Sequence, residues 1–140
     1  MGCPRLCLGL SLAFFLTSVP STASLAARDS IGVATPRVEQ MVFCAAIKDR
    51  APVGIADTLP ADISRVYCFT RIVGAQETTS VAHIWYYGDK KMAEVRLPVR
   101  SSNWRTWSSK RVMPDWKGGW RVEILTPDSA VIATKGFYLK

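Results

Sequence analysis

The sequence predicts an all-β fold, an immunoglobulin-like antiparallel β-sandwich of about seven strands, with a small β-barrel as the alternative. Three observations lead to this prediction. Short runs rich in β-branched and aromatic residues recur at roughly ten-residue spacing, and runs rich in Gly, Pro, Asp and Ser separate them. Beyond the N-terminal segment, the sequence shows no convincing helical period. Two sheets of such strands can enclose one core about 10 Å thick.

Residues 1–26 have the layout of a secretory signal peptide. An arginine near the start precedes a hydrophobic run, and small residues at Ser24 and Ala26 suit cleavage after Ala26. The run is shorter than the roughly 20 apolar residues of a membrane-spanning helix, so an uncleaved anchor is the less favoured alternative. We therefore expect an exported protein, periplasmic or at the cell surface, with a flexible leader at 27–37, a single domain at 38–140 and no transmembrane segment after cleavage.

The first two predicted strands frame a long loop. They are RVEQMVFCAAI at residues 37–47 and SRVYCFTRIV at residues 64–73. The stretch between them, KDRAPVGIADTLPAD, contains two prolines, a glycine and three aspartates, which predicts irregular chain. We interpret Asp57 and Asp62 in this loop as turn formers through side-chain to backbone hydrogen bonds, not as a catalytic pair.

The next predicted strands are TSVAHIWYY at residues 79–87 and MAEVRLPV at residues 92–99. In the second, apolar residues alternate with charged residues and Pro98, which indicates a half-buried strand. Proline removes a donor from the hydrogen-bond ladder, so we expect this strand at a sheet edge. Trp85 lies on the strand that is central in chain order, like the core tryptophan strand of immunoglobulin-like sandwiches, and this parallel is a fold-level analogy.

The last three predicted strands are WRTWSSKRV at residues 104–112, GGWRVEIL at residues 118–125 and VIATKGFYLK at residues 131–140. In the second of them, Trp120 and every second residue after it are apolar, so we place Trp120 in the core. Gly136 interrupts the last strand, and we expect it to mark a bulge.

Cys44 and Cys68 are the two cysteines that remain after signal cleavage. An even number of cysteines in an exported chain favours a disulfide, which would stabilise the fold by roughly 3 to 4 kcal/mol on the chain-entropy model. Two buried free thiols are the alternative. Two cysteines and one histidine supply too few ligands for an ordinary metal site, so we expect no metal and no other cofactor.

The positive charge of the chain is concentrated in one segment. The formal net charge is +7 at pH 7, and residues 90–121 hold nine Lys or Arg against two acidic residues. Such a field attracts polyanions. Outside the cytoplasm the candidates are acidic polysaccharides, lipid head groups and acidic envelope proteins, and we expect no nucleic-acid partner. The alternative is a solvated basic face that only aids solubility.

The same segment contains four of the five tryptophans. Trp104 and Trp107 are three residues apart, so on a strand they point to opposite faces, and Trp107 shares its face with Arg105 and Arg111. This set resembles an anion or sugar platform, because an aromatic face accepts apolar sugar surfaces and guanidinium groups pair with carboxylate or phosphate. An arginine-shielded ring and a buried Trp107 are the alternatives. The candidate ligand-binding residues are Arg105, Trp107, Lys110 and Arg111. Trp116 lies in a loop, and a lid and a plug at the end of the fold are the alternatives for it.

His83 is the only histidine, and its pattern does not predict catalysis. With Ser108 or Ser109 and an aspartate it can complete a hydrolytic triad on paper, but a strand histidine beside a tryptophan is more often hydrogen-bonded and structural. The sequence contains no nucleophile elbow, glycine-rich phosphate loop or HExxH motif. We therefore assign no catalytic residue and expect a non-catalytic protein.

Several blocks of the sequence resemble a bacterial family, the domain of unknown function 2914. The blocks VYCFT, HIWYY and WRTWSSK occur in that order, and the resemblance spans Val42 to Leu139. It implies a compact exported or membrane-tethered domain with no established activity, and it transfers no functional residue to this chain.

Two functional hypotheses follow. The first is a non-catalytic binding module of the bacterial cell envelope that holds an acidic glycan, lipid head group or protein on its basic aromatic face. The second is a structural domain that docks against a partner through a strand edge or through the TLPADISR loop at residues 58–65. A hydrolase that uses His83 is the least favoured alternative.

Overall fold

The computed structural model describes Gly2, Gly9 and residues 35–140, so the predicted signal peptide and most of the predicted leader lie outside the described residues. Residues 35–140 form two sheets that pack face to face. The nine strands are β1 (Arg37–Lys48), β2 (Ala51–Ile55), β3 (Thr58–Leu59), β4 (Arg65–Val73), β5 (Thr79–Tyr87), β6 (Lys90–Val99), β7 (Asn103–Arg111), β8 (Gly118–Leu125) and β9 (Val131–Leu139). None of the helical structure in the described part of the chain is long and apolar enough to cross a bilayer.

The strands are arranged as a four-stranded sheet in the order β2-β1-β4-β7 and a five-stranded sheet in the order β3-β9-β8-β5-β6. Each sheet keeps two open edges, so the predicted sandwich is confirmed and the barrel alternative is wrong. All pairings are antiparallel except the short parallel pair of β3 and β9. Strand β6 lies at an edge, as its proline predicts.

Aromatic side chains from both sheets meet in the core. The Phe43 ring lies 4.5 Å from the Phe137 ring and 6.4 Å from the Trp85 ring, measured between centroids. Phe137 also stacks on Trp120 at 5.9 Å, and all four side chains are buried. Burial of each such side chain contributes roughly 1.5 to 3 kcal/mol. The core positions predicted for Trp85 and Trp120 are confirmed.

Two strands lie in the stretch that the sequence predicts to be irregular. Strands β1 and β2 form a hairpin in which Lys48 pairs with Ala51 across the two-residue turn Asp49–Arg50. Both turn residues have positive φ, 52° and 60°, as such turns require, but their usual sequence is Asn-Gly or Asp-Gly. Because arginine is unusual at the second position of such a turn, the sequence does not predict the turn. Pro52 argues against a strand except at a sheet edge, and β2 lies at an edge.

The predicted bulge at Gly136 is wrong. Gly136 pairs with Arg121 in an unbroken register, and the irregularity between β8 and β9 lies at Ile124/Leu125. A Cβ atom at Gly136 would lie 3.1 Å from the carbonyl oxygen of Trp120. A side chain at this position would force the neighbouring backbone to shift by a few tenths of an ångström, which favours glycine, and the isolated sequence does not reveal this close approach.

The predicted disulfide is absent from this structure. Cys44 and Cys68 are both free and buried. Cys44 pairs with Tyr67 and Phe43 pairs with Cys68. Because paired residues share a face and consecutive residues alternate, the two thiols lie on opposite faces of the four-stranded sheet. Burial is the main cause that raises the pKa of each thiol.

Candidate functional site

The outer face of the four-stranded sheet carries four arginines in two cross-strand pairs. Arg65 pairs with Arg111, and Arg71 pairs with Arg105. Between them lie two further pairs, Tyr67 with Ser109 and Phe69 with Trp107. Paired side chains share a face, and every second residue of a strand points the same way. We call the eight residues the arginine face: Arg65, Tyr67, Phe69, Arg71, Arg105, Trp107, Ser109 and Arg111. The two arginine pairs are six residues apart, or about 20 Å.

Three of the four predicted ligand-binding residues lie together on this face. They are Arg105, Trp107 and Arg111, which alternate along β7. Lys110 lies on the opposite face of the strand, where its Nζ is 5.4 Å from the ring centroid of Trp116. The predicted set therefore combined residues from two faces of β7. Lys110 was included because it is close in sequence, although strand alternation places it opposite the other three.

Few partners within the described residues offset the positive charge of the arginine face. Arg71 pairs with Glu39 at 3.1 Å and donates a hydrogen bond to Asn103 at 2.9 Å. Arg65 donates to the Ser109 hydroxyl at 2.8 Å. Within residues 35–140, neither Arg105 nor Arg111 has a carboxylate within 4.0 Å. Like charges directly opposite each other destabilise a sheet, so both arginine pairs have a structural cost.

A fifth arginine reaches this face from the β1–β2 hairpin. Arg50 lines an open depression together with Arg71, Asn103 and Arg105. Its Cζ also lies 5.6 Å from the Trp104 ring centroid. In an unbent sheet the strand registers would separate the hairpin turn from Trp104 by on the order of 30 Å. The hairpin is therefore bent back along the sheet, and this bend gathers three arginines at one end of the arginine face.

A second depression adjoins the first and is lined partly by aromatic rings. Trp104 and Trp107 line it with Pro98 and Thr106, and it shares Arg50 and Arg105 with the cationic depression. Trp107 is half-buried, whereas its cross-strand partner Phe69 is only 3 % exposed. Part of the Trp107 ring is therefore open to a ligand. The ring shielded by an arginine in this structure is that of Trp104.

Two further basic residues of segment 90–121 lie on the other sheet. Arg96 and Arg121 lie on the outer face of the five-stranded sheet, within 4.0 Å of acidic residues that partly neutralise them. The basic segment therefore does not form a single surface. Sequence analysis missed Arg65 and Arg71, although the alternation of RVYCFTR predicts that both lie on the face of Tyr67 and Phe69.

Trp116 packs against aromatic residues at one end of the core. Its ring lies 5.9 Å from the Trp120 ring and 6.5 Å from the Tyr87 ring. The Trp120 indole donates a hydrogen bond to the Trp116 carbonyl at 3.1 Å. These contacts connect the loop before β8 to the core.

His83 belongs to a buried hydrogen-bond network between the two sheets. Ser108 Oγ lies 2.7 Å from His83 Nδ1 and accepts a hydrogen bond from Trp85 Nε1 at 3.0 Å. Thr70 Oγ1 lies 3.3 Å from His83 Nε2 and donates to the Thr106 carbonyl at 3.1 Å. Because Thr70 donates its hydroxyl proton to the Thr106 carbonyl, it can only accept a hydrogen bond from the imidazole. His83 Nε2 therefore carries the ring proton, and Nδ1 accepts a hydrogen bond from Ser108.

The surroundings of His83 favour a structural role for the network. His83 is 0 % exposed and Ser108 is 4 % exposed, so a substrate reaches them only if the core opens. Burial lowers the pKa of His83 from 6.5 to about 4 and keeps the ring neutral. Within the described residues, no group of three or more His, Cys, Asp or Glu side chains is arranged to hold a metal ion.

Comparison with known proteins bears on part of this architecture. No curated protein sequence matches the chain. The match to a family model begins just before β5 and ends within β9, so it includes Arg105, Trp107 and Arg111 but not Arg65 or Arg71. The predicted resemblance is thus confirmed: residues 78–138 match the family described as "Protein of unknown function (DUF2914)".

Proposed function

We propose that this protein is a non-catalytic binding module of the bacterial cell envelope that holds an anionic ligand on its arginine face. The proposal rests on the two cross-strand arginine pairs, Arg65 with Arg111 and Arg71 with Arg105. A fold selected only for stability would not place like charges opposite each other twice on one face. An anionic ligand removes this repulsion, because guanidinium groups form strong bidentate contacts with carboxylate, phosphate and sulfate.

The proposed location is outside the cytoplasm, in the periplasm or at the cell surface. It is supported by the signal-peptide pattern of residues 1–26. In that compartment the ligand classes that fit the face are acidic glycans, lipid head groups and acidic proteins.

A second candidate function, docking to a protein through a strand edge, is favoured by one observation. Val53 and Ile55 on edge strand β2 are 46 % and 54 % exposed. The TLPADISR loop is the weaker part of this hypothesis, because backbone hydrogen bonds tie it to the end of the chain, including Ala61 N–H to Lys140 O at 2.9 Å. Docking through an apolar edge would depend little on salt.

Retention of the mature chain on heparin-agarose, measured against salt, tests the proposal. The test variant is Arg105→Glu with Arg111→Glu, and the matched control is Lys90→Glu with Arg96→Glu on the other sheet, which changes the net charge equally. We expect the test variant to elute at much lower salt than the control, because only the first change reverses charges on the arginine face.

Equal losses in the two variants would show that net charge alone causes retention, and the proposal would then fail. A pull-down from an envelope extract at low and at high salt extends the test to natural partners. Partners captured equally well at both salt concentrations would favour the edge-docking function instead.

A further inference from the structure

Two adjoining depressions at one end of the arginine face combine cationic and aromatic surfaces. The cationic depression is formed by Arg50, Arg71, Asn103 and Arg105, and the aromatic one by Pro98, Trp104 and Trp107 with Thr106. Arg50 and Arg105 line both. A ligand that occupies the two depressions must therefore present an anionic group close to an apolar surface.

We propose that this end of the arginine face binds an acidic sugar, a hexuronic acid unit of an extracellular polysaccharide. The sugar carboxylate lies among Arg50, Arg71 and Arg105, and the apolar face of the sugar ring packs against the exposed part of Trp107. Asn103 offers an amide to a sugar hydroxyl. This inference rests on the proposed function and deepens it, because it names the ligand class and locates the site at one end of the face.

The chemistry of the two depressions favours an acidic sugar over the other anions. The planar guanidinium group matches a carboxylate with two parallel hydrogen bonds, and aromatic rings pack against the C–H face of a sugar. A polyphosphate would use the arginines and leave the aromatic depression empty. A lipid acyl chain needs a longer apolar slot than two half-buried indole rings provide.

The backbone at Arg50 supplies an independent observation. Arg50 has φ of 60°, a conformation that favours glycine or asparagine, and it occupies a hairpin position where glycine is preferred. Left-handed backbone in other residues costs on the order of 1 kcal/mol and clusters at functional sites. The strained residue is the one whose side chain reaches across to the two depressions. Ligand binding by the Arg50 side chain offsets this conformational cost.

Tryptophan fluorescence titration of the mature chain at low salt tests the inference with three probes. The first is an oligogalacturonate, the second a neutral galactose oligomer of the same length, and the third a polyphosphate of similar charge. We expect the oligogalacturonate to bind at least about tenfold more tightly than either of the others, with a change in indole emission that polyphosphate does not cause.

Two arginine variants locate the site. Arg50→Gly suits the left-handed turn, so it should fold normally, yet we expect it to lower oligogalacturonate affinity by about tenfold or more. Arg96→Ala is the matched control, because it also removes one arginine but lies on the outer face of the other sheet. We expect it to change the affinity less than about threefold. Trp107→Leu should lower oligogalacturonate affinity and leave polyphosphate affinity unchanged.

The outcomes separate this inference from the proposed function. If polyphosphate binds as tightly as oligogalacturonate, the face binds anions but the acidic-sugar assignment is wrong. Equal losses in Arg50→Gly and Arg96→Ala would likewise overturn the proposed location. If none of the three probes binds and the heparin column also fails to retain the protein, the proposed function falls together with the inference.

Discussion

Ser108 on β7 and His83 on β5 join the two sheets of the sandwich through a hydrogen bond of 2.7 Å between Ser108 Oγ and His83 Nδ1. The same hydroxyl accepts from Trp85 Nε1, and Thr70 completes the network on the other side of the imidazole. Among the described residues that are not exposed, no buried side-chain nitrogen or oxygen lacks a partner. A fully satisfied polar network of this kind specifies one relative position of two packed sheets.

Acid should destabilise the protein through His83. Burial lowers the pKa of His83 from 6.5 in the unfolded chain to about 4 in the fold. Between these values the unfolded state binds more protons, so the free energy of unfolding falls as pH falls from about 6.5 to about 4, by on the order of 3 kcal/mol. Urea unfolding at pH 7 and pH 4.5 measures this loss. His83→Gln should lose less stability over the same range, and an equal loss in both proteins would contradict the role given to His83.

Ser108→Ala should destabilise the fold by about 1 to 3 kcal/mol. The change leaves the Trp85 indole N–H without an acceptor and His83 Nδ1 without a donor, and both groups are buried. Urea unfolding measures the loss. Ser109→Ala is the matched control on the neighbouring, outward-facing position, and it should cost less than about 1 kcal/mol. Similar losses in the two variants would show that the network contributes little.

The thiols of Cys44 and Cys68 should be free and protected. Cys44 and Cys68 lie on opposite faces of one sheet and are fully buried, and burial raises the pKa of both thiols. A thiolate is the reactive form, so in a chain of residues 27–140 a thiol reagent should label the native protein slowly and label both cysteines rapidly in denaturant. Detection of a Cys44–Cys68 disulfide by mass spectrometry without reduction would contradict the strand register.

Removal of one arginine from a cross-strand pair should stabilise the protein slightly. Arg105→Thr relieves the repulsion between Arg105 and Arg71 and places a good strand former on β7. We expect a gain of about 0.3 to 1 kcal/mol at low salt that shrinks at high salt, because salt screens exposed charges. Urea unfolding at two salt concentrations measures the gain. A loss of stability at low salt would mean that Arg105 supports the fold, and the argument from like-charge pairs would weaken.

Much of the fold follows from local patterns. The seven predicted strands are present, with ends that differ by no more than two residues from those of β1 and β4 to β9. The edge position of Pro98 and the buried positions of Trp85 and Trp120 follow from rules that concern single strands. Strand β2 was missed because an arginine takes the turn position where glycine is usual and the strand contains a proline, and β3 was missed because it is only two residues long.

The candidate site could be predicted only in part. Alternation along β7 placed Arg105, Trp107 and Arg111 on one face, and this follows from the backbone geometry of a strand alone. The pairing of Arg105 with Arg71, and of Arg111 with Arg65, depends on the register between β4 and β7. Along the chain, β5 and β6 of the other sheet lie between β4 and β7. No local sequence signal therefore sets the alignment of β4 with β7.

Local sequence patterns are enough to predict the class of fold, the strands that form the core, and which side chains of each strand share a face, because these depend on the two-residue period of extended chain. Tertiary structure decided which faces meet. It separated Cys44 from Cys68, brought Arg50 beside Arg71 and Arg105, and closed the network around His83. Strand register and hairpin bending fix these contacts, and both are set by long-range packing between residues that are distant in the chain.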